Sequence, residues 1–345
     1  MAMAQEWLAM GHSVTWFAGG FGVAPEDAML RGVRIIRRGR PWSVHWQAFL
    51  AYQRGEFRDV DLVVDQIHGI GFFTPLYFRA PRVALIHEVA GAIWRAMYPL
   101  PVALLGLALE AFMLKAYRGT PFITGAESAK QELATRGIPR DQIEVVRWGN
   151  TVSPPEVLPE KAEIPTVISV GRICAMKRTI EVIEAVALLR AHQPDSQLWL
   201  VGGGDERYLG RCRERAAELG IAGAVRFFGF VTEEEKHELM GRAWVLVSAS
   251  MKEGWGLIVG EANALGTPAS TYDVPGFRES VAAGWGVLAE GSGPPALTAA
   301  MLKALHLARP AAVTEAEVGC RRAAEAVCKV APRASGASPL VAGPR

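Results

Sequence analysis

The sequence predicts an α/β protein made of two doubly wound, Rossmann-like domains. Short β-rich runs alternate with helical patterns, as in βα units that build parallel sheets. The alternation runs through the chain twice, with one proline-rich interruption. At 345 residues, half of them apolar, the chain has the length and core material for two domains of ordinary size.

In the first pass, helices are expected at 2–10, 46–54, 101–117 and 126–136. Strands are expected at 14–17, 33–36, 62–64, 83–86, 122–124 and 143–146. The run Ser153-Pro154-Pro155, followed by Pro159 and Pro165, has no apolar period and reads as a linker. The second pass places strands at 167–170, 198–201, 225–228, 245–248 and 269–271. Its helices fall at 179–191, 208–219, 233–241, 257–265 and 275–282. The division that follows is a first domain over 1–152, a linker over 153–165, a second domain over 166–320 and a tail over 321–345. The tail is low in large apolar residues from Ala331 onward and is expected to be partly disordered. A doubly wound domain normally opens with a strand and a glycine turn. Here the chain opens in a helix, so that strand and its loop are expected to be missing.

Composition excludes several classes. A net charge of +2 carries no concentrated basic footprint for nucleic acid. The basic segment 31–40 reads as a strand with solvated arginines. Cys174, Cys212, Cys320 and Cys328 lack zinc spacing and read as reduced thiols, which fits a cytoplasmic location. No signal peptide is evident in the first residues. The segment 99–114 is very apolar but too short to span a bilayer, and it contains Glu110. It suits either a buried helix or one resting on a membrane surface, the second placing the protein at the inner face of the membrane.

The strongest chemical signal is Glu253-Gly254-Trp255-Gly256-Leu257-Ile258-Val259-Gly260-Glu261. A glycine turn feeds a helix whose first N–H groups lack internal partners and suit a phosphate. Glu253 precedes that end. Glu261 lies about one turn inside it, and helical side chains lean toward the N-terminus. Ionised carboxylates only accept hydrogen bonds, so both suit hydroxyl pairs. A diphosphate flanked by two polyols, as in a sugar nucleotide, satisfies the whole set. The spacing of the two glutamates alone is common; the glycines and the turn at 264–268 strengthen it.

Five segments in order extend the pattern: Gly11-His12-Ser13-Val14-Thr15, Ser169-Val170-Gly171-Arg172-Ile173, Val201-Gly202-Gly203-Gly204, Phe227-Phe228-Gly229-Phe230-Val231, and Glu253 through Ala262. Together they resemble the large retaining family-four glycosyltransferases. That resemblance covers about residues 5 to 290 and implies the GT-B architecture, two Rossmann-like domains facing across a cleft. It implies that Arg172 and Lys177 neutralise the donor diphosphate, helped by the backbone at Gly171 and Gly203. It puts Glu253 beside the transferred sugar and Glu261 on the ribose diol. Backbone N–H groups of the Gly254–Gly256 turn, Leu257 and Ile258 would hold phosphate. Phe230 and Val231 would frame the base, or else pack in the core. His87, at the end of an apolar strand, resembles a histidine beside the acceptor, with a structural role equally open. His68 has weaker support, and Ser128 reads as a helix cap or hinge.

The implied reaction is retaining transfer of a sugar from a nucleotide-sugar donor to a hydroxyl on a glycan, a lipid-linked acceptor or a small molecule. Neither metal nor other cofactor is expected, Arg172 and Lys177 standing in for a divalent ion. The alternatives are a nucleotide-sugar epimerase of the same fold and a truncated donor-binding protein with little activity. A nicotinamide oxidoreductase is disfavoured, because Gly202-Gly203-Gly204-Asp205-Glu206-Arg207 lacks the third glycine of a dinucleotide fingerprint.

Overall fold

A computed structural model describes residues 1–40, 42–147, 152, 154–308 and 319–335. The chain divides into two compact units. The first holds the described residues within Met1–Gly91, Pro101–Trp148 and Val318–Arg345; the second, those within Ala92–Leu100 and Gly149–Glu317.

The elements up to the second unit's sheet are α1 (Ala2–Ala9), β1 (Thr15–Ala18), β2 (Asp27–Leu30), β3 (Val33–Arg37), α2 (Val44–Gln53), β4 (Val63–Ile67), β5 (Arg82–Ile86), α3 (Ile93–Met97), α4 (Leu100–Ala116), β6 (Phe122–Thr124), α5 (Glu127–Thr135) and β7 (Ile143–Val145). The first unit's strands form two sheets, β1-β3-β2 and an all-parallel β4-β5-β6-β7. Among the described residues, β1 and β4 each keep one edge without a strand partner.

The sequence missed β2, whose Asp27-Ala28-Met29-Leu30 lacks β-branched residues. It forms because Arg31 and Gly32 both take positive φ (50° and 82°), the two-residue turn that matches strand twist and pairs Leu30 with Val33. The arginines around β3 were expected to be solvated, and Arg38 is instead paired. Arg38 lies within 2.9–3.8 Å of Asp27, Glu56 and Glu26.

A further helix of this unit comes from the chain's far end. α12 (Gly319–Ser335) packs against α1, β5 and β6, and Trp7 Nε1 donates to the Ala324 carbonyl at 3.1 Å. The part of the expected tail up to Ser335 is thus helical. Ala323, Ala324, Ala326 and Val327 are small, yet they give the helix a buried face. Residues 336–345 lie outside the described residues.

The second unit is one six-stranded parallel sheet. Its elements are β8 (Thr166–Val170), α6 (Thr179–Leu189), β9 (Gln197–Val201), α7 (Glu206–Glu218), β10 (Val225–Gly229), α8 (Glu233–Arg242), β11 (Val245–Ser248), α9 (Leu257–Ala264), β12 (Ala269–Tyr272), α10 (Pro275–Ala283), β13 (Gly286–Ala289) and α11 (Pro294–Leu305). The order is β10-β9-β8-β11-β12-β13. Strand alternation builds two cores. Leu198, Leu200, Val245 and Val247 face α6, α7 and α11, while Trp199, Val201 and Leu246 face α8, α9 and α10. Each fully buried aliphatic here, such as Ile183 or Leu189, contributes about 1.5–3 kcal/mol. The sequence reading missed β13, which is only four residues long, and α11, which opens on two prolines.

The expected linker is fastened to this unit where it is described. Ala162 N–H donates to Arg242 O at 2.9 Å and Trp244 Nε1 to Ala162 O at 2.8 Å. The Lys161 ammonium donates to the carbonyls of Gly241, Ala243 and Gly266 and to Thr267 Oγ1, at 2.6–2.9 Å. Residues 148–151 and 153 lie outside the described residues.

Candidate nucleotide-sugar site

The sheet order fixes where a ligand can sit in the second unit. From β8 the chain winds outward to β9 and β10; from the adjacent β11 it winds the other way, to β12 and β13. Such a reversal leaves a crevice beyond the carboxyl ends of the two central strands. The loops leaving β8 and β11 carry Gly171–Lys177 and Glu253–Gly256, the segments singled out from sequence.

Close backbone approach shapes the first loop. A Cβ on Gly202 would lie 2.1 Å from the Gly171 carbonyl, so glycine alone fits. Ile173 N–H donates to Gly203 O at 2.8 Å, which threads the loop past the end of β9. The loop then makes a 3-10 turn over Ala175–Lys177. Arg178 follows in left-handed backbone (φ 48°), its guanidinium over the Tyr272 ring and 3.6 Å from Glu181. Arg172 is exposed and forms no ion pair among the described residues.

The second loop comes to meet the first. Met251 N–H donates to Met176 O at 3.0 Å, and the Lys177 ammonium forms an ion pair with Glu253 Oε1. Both side chains are largely shielded from water. Gly256 takes φ 75°, and a Cβ there would lie 2.6 Å from the Phe277 ring; it opens α9 with no side-chain cap. The first amides of α9, at Leu257 and Ile258, thus follow a loop whose Glu253 is paired with Lys177, a charge pattern that suits an anion next to hydroxyls.

Glu261 sits in the second turn of α9 with only 9% of its side chain exposed, 3.1 Å from the Lys236 ammonium of α8. Burial would lower the Lys236 pKa, but its bonds to Glu233 and Glu261 carry it above the ordinary lysine value. Phe230, just before α8, is 91% exposed, so core packing is ruled out for it. Its ring lies where a Cβ on Gly203 would be, 2.2 Å away. Val231 does pack against the α8–α10 core.

The first unit places His87 just past β5 and His68 just past β4, rings 5.6 Å apart. Burial, then the charge of His68, pushes His87 down to about 4, so it is neutral at pH 7. Two carboxylates hold the neighbouring loops. Asp65 accepts from Thr74 Oγ1 at 2.8 Å, from Phe72 N at 3.2 Å and from the Tyr117 hydroxyl, fixing the segment after His68. Glu110, 1% exposed, accepts from the amides of Ala90 and Gly91 at 2.7 and 3.0 Å, fixing the segment after His87. Ser128 is not the expected cap: α5 begins at Glu127, its N-cap is Ala126 with no side-chain cap bond, and Ser128 lies inside the first turn.

The inner face of α4 buries Ala103, Gly106, Met113 and Leu114. Its outer face exposes Leu100, Leu104, Leu105, Leu109 and Phe112 with no charge before Lys115, so the helix is not buried all round. Among the described residues, no helix is long and apolar enough to cross a membrane, and no three His, Cys, Asp or Glu residues gather as a metal site.

Sequence reasoning missed Lys236, which reads as one more charge in an acidic helix start, and the roles of Asp65 and Glu110. It also missed α3, which lies against the Ala175–Lys177 turn. A lysine three residues after Glu233 carries no signal of its own; only the fold brings it to Glu261.

Comparisons with known proteins bear on both units. Residues 155–317 match the family described as glycosyl transferases group 1, and residues 1–149 match glycosyltransferase family 4. A D-inositol 3-phosphate glycosyltransferase of Nocardia farcinica is 30% identical over 253 residues, 66% of this chain and 55% of that one. The first curated relatives are matched over only 28–55% of their own length. Among solved structures, WaaG, a glycosyltransferase of lipopolysaccharide biosynthesis, aligns with a TM-score of 0.71 at 18% identity, over 100% of this chain and 95% of its own. Anabaena HepE, solved with UDP-glucose, aligns at 0.63 and 14% identity, over 94% and 99%.

Proposed function

The chain belongs to the family-four glycosyltransferases of GT-B architecture, and on that premise we propose that it moves a sugar from a nucleotide-sugar donor to a hydroxyl acceptor, retaining anomeric configuration and needing no metal. The observation that carries the reading is the meeting of Lys177 and Glu253 at the switch point, on the loops that carry Arg172 and lead into the uncapped start of α9. In the free protein the ammonium and the carboxylate neutralise each other. A bound diphosphate takes over Lys177, with Arg172 and the amides of Leu257 and Ile258 completing its cradle. Glu253 is then released to accept from hydroxyls of the transferred sugar.

At the other end, Glu261 accepts from the ribose diol, and the exposed face of Phe230 lies against the base. Negative charge grows on the departing diphosphate, and pre-placed cations stabilise it more in the transition state than in the ground state. The bond from the anomeric carbon to the phosphate oxygen breaks. The acceptor oxygen bonds that carbon from the same face, and its proton passes to the departing phosphate oxygen. Two fixed cations supply the charge that a divalent ion supplies elsewhere. His87, neutral at pH 7, accepts or donates a hydrogen bond beside the acceptor without adding charge.

The outer face of α4 supports a lipid-borne acceptor. Five large apolar side chains lie at helical spacing along one side, with Lys115 at the end. Such a face suits the interfacial zone of an anionic membrane.

The test is a thermal-shift screen of nucleotide sugars, followed by product analysis with the donor that binds. Selective stabilisation by one donor, transfer in excess EDTA and a product with the donor's anomeric configuration are expected. An inverted product, or activity only with added divalent ion, counts against the corresponding part. An epimerised nucleotide sugar formed without acceptor would point to the epimerase instead.

A further inference from the structure

Glu261 is an almost fully shielded carboxylate on the second turn of α9, and the cation beside it is Lys236 at 3.1 Å. Removing an ionised carboxylate from water costs several kcal/mol unless a partner and hydrogen bonds replace the water. Lys236 is itself 15% exposed and is held from behind by Glu233 at 2.7 Å. Its helix start is fixed by a reciprocal cap: Thr232 Oγ1 accepts from Glu235 N at 3.2 Å, and Glu235 Oε2 accepts from Thr232 N at 2.9 Å. Lys161 clamps the opposite ends of α8 and α9 through Gly241, Ala243 and Gly266. The two helices are therefore tied twice, by Lys161 at their carboxyl ends and by Lys236 where Glu261 emerges.

We propose that Lys236 is a positioning residue for the donor site: through its ion pair it aims the Glu261 carboxylate, and so sets the preference for a ribose diol over a deoxyribose. The proposal rests on the reading that Glu261 grips the ribose. A carboxylate accepts two hydrogen bonds from a cis-diol only when both oxygens are correctly turned. The Lys236 ammonium favours one orientation of the Glu261 carboxylate; without that ammonium the carboxylate turns or draws in water, and the diol loses its geometry. Lys236 acts at the sugar of the nucleotide and leaves the diphosphate end, built from Arg172 and Lys177, as it was.

The experiment measures dissociation constants of the whole chain by calorimetry for uridine, adenosine and guanosine 5′-diphosphates and their 2′-deoxy counterparts. The tightest-binding base serves as the probe. The wild type is expected to prefer the ribonucleotide about tenfold, a difference of about 1.4 kcal/mol. Glu261→Gln brings the ratio near one. Lys236→Met lowers it to the same extent, Lys236→Arg keeps at least half of it on a logarithmic scale, and Lys236→Met adds nothing in the Glu261→Gln background. Arg172→Ala weakens both nucleotides equally and leaves the ratio intact. Thermal unfolding of every variant separates aim from loss of fold, and Lys236→Gln replaces the methionine variant if that one unfolds.

An unchanged ratio in Lys236→Met, with the ratio lost in Glu261→Gln, overturns the proposal and leaves the ribose reading standing. No preference for the ribonucleotide in the wild type, or a preference that survives Glu261→Gln, overturns the ribose reading and the proposal with it.

Discussion

The two units solve the same problem in different ways. The second frames its candidate site with backbone: one six-stranded sheet, a reversal of strand order, and glycines whose close approach sets the loops that carry Arg172, Lys177 and Glu253. The first carries its candidate chemistry on side chains held by buried carboxylates, Asp65 and Glu110, and its strands lie in two sheets. A diphosphate is the same in every donor, so a fixed backbone cradle serves it. Acceptors differ in shape and polarity, and the unit expected to meet them relies on replaceable side chains. The comparison predicts a division of labour that substitutions can break.

The largest effect is expected from the cradle. Arg172→Ala and Glu253→Gln should each lower kcat about 10²–10³-fold, the usual loss when one pre-placed charge is removed from a reacting centre. Steady-state kinetics with a saturating acceptor would read this. Substitutions in the first unit, such as His87→Ala, should lower kcat while leaving the affinity for free nucleoside diphosphate within about twofold, since an interaction made only during reaction is lost. Equal loss of nucleotide affinity in both sets would erase the distinction between the units.

That same distinction decided what could be read in the sequence. Most elements of the second unit were legible because its strands are short, with β8, β9 and β10 apolar runs that end at Gly171, Gly202 and Gly229, and because only glycine fits where Gly202 passes Gly171 O. Arg172, Lys177, Glu253 and Glu261 were legible because they sit at fixed offsets from those glycines. Lys236 was not, because its importance comes from helix packing. In the first unit β2 was hidden by a turn that depends on Arg31 taking positive φ, which no pattern announces. α12 was hidden because its buried face is mostly alanine. Glu110 looked like a polar interruption of an apolar helix; its inward position is what lets the opposite face remain apolar.

Next in size is the cost of removing Glu110. Glu110→Ala strands the amides of Ala90 and Gly91, and a buried donor left without a partner costs about 1–3 kcal/mol. Chemical denaturation should show that loss, and hydrogen exchange should rise at Ala90 and Gly91 ahead of the rest of the unit. Glu110→Gln keeps one acceptor oxygen and should lose less. If the alanine variant is as stable as the wild type, side-chain anchoring is not what holds the His87 loop.

The outer face of α4 should respond without touching stability. Leu105 is 60% exposed, so Leu105→Asp leaves the folded core intact. Burying one leucine in a lipid interface is worth about 1.5–3 kcal/mol, hence roughly a tenfold or greater loss of binding to vesicles containing anionic lipid. Sedimentation with phosphatidylglycerol vesicles measures this, and Leu188→Asp, on an exposed site of the second unit, is the control. Equal vesicle binding by Leu105→Asp and wild type would leave the apolar stripe without a membrane role.

The smallest expected effect is a pH slope confined to the first unit. His87 is held neutral by burial and by His68, its pKa lowered from 6.5 to about 4 in the folded state. Unfolding frees it to bind a proton below its ordinary value, so the unfolded state gains protons first as the solution is acidified. Stability therefore falls as pH drops from about 6.5 toward 4 and levels off below that, where both states are protonated. His87→Asn removes the group and should flatten that part of the profile while leaving stability at pH 7.5 nearly unchanged. Urea midpoints between pH 4 and 8 for the two proteins would show the difference. A slope that persists undiminished in His87→Asn would assign the acid sensitivity to other groups.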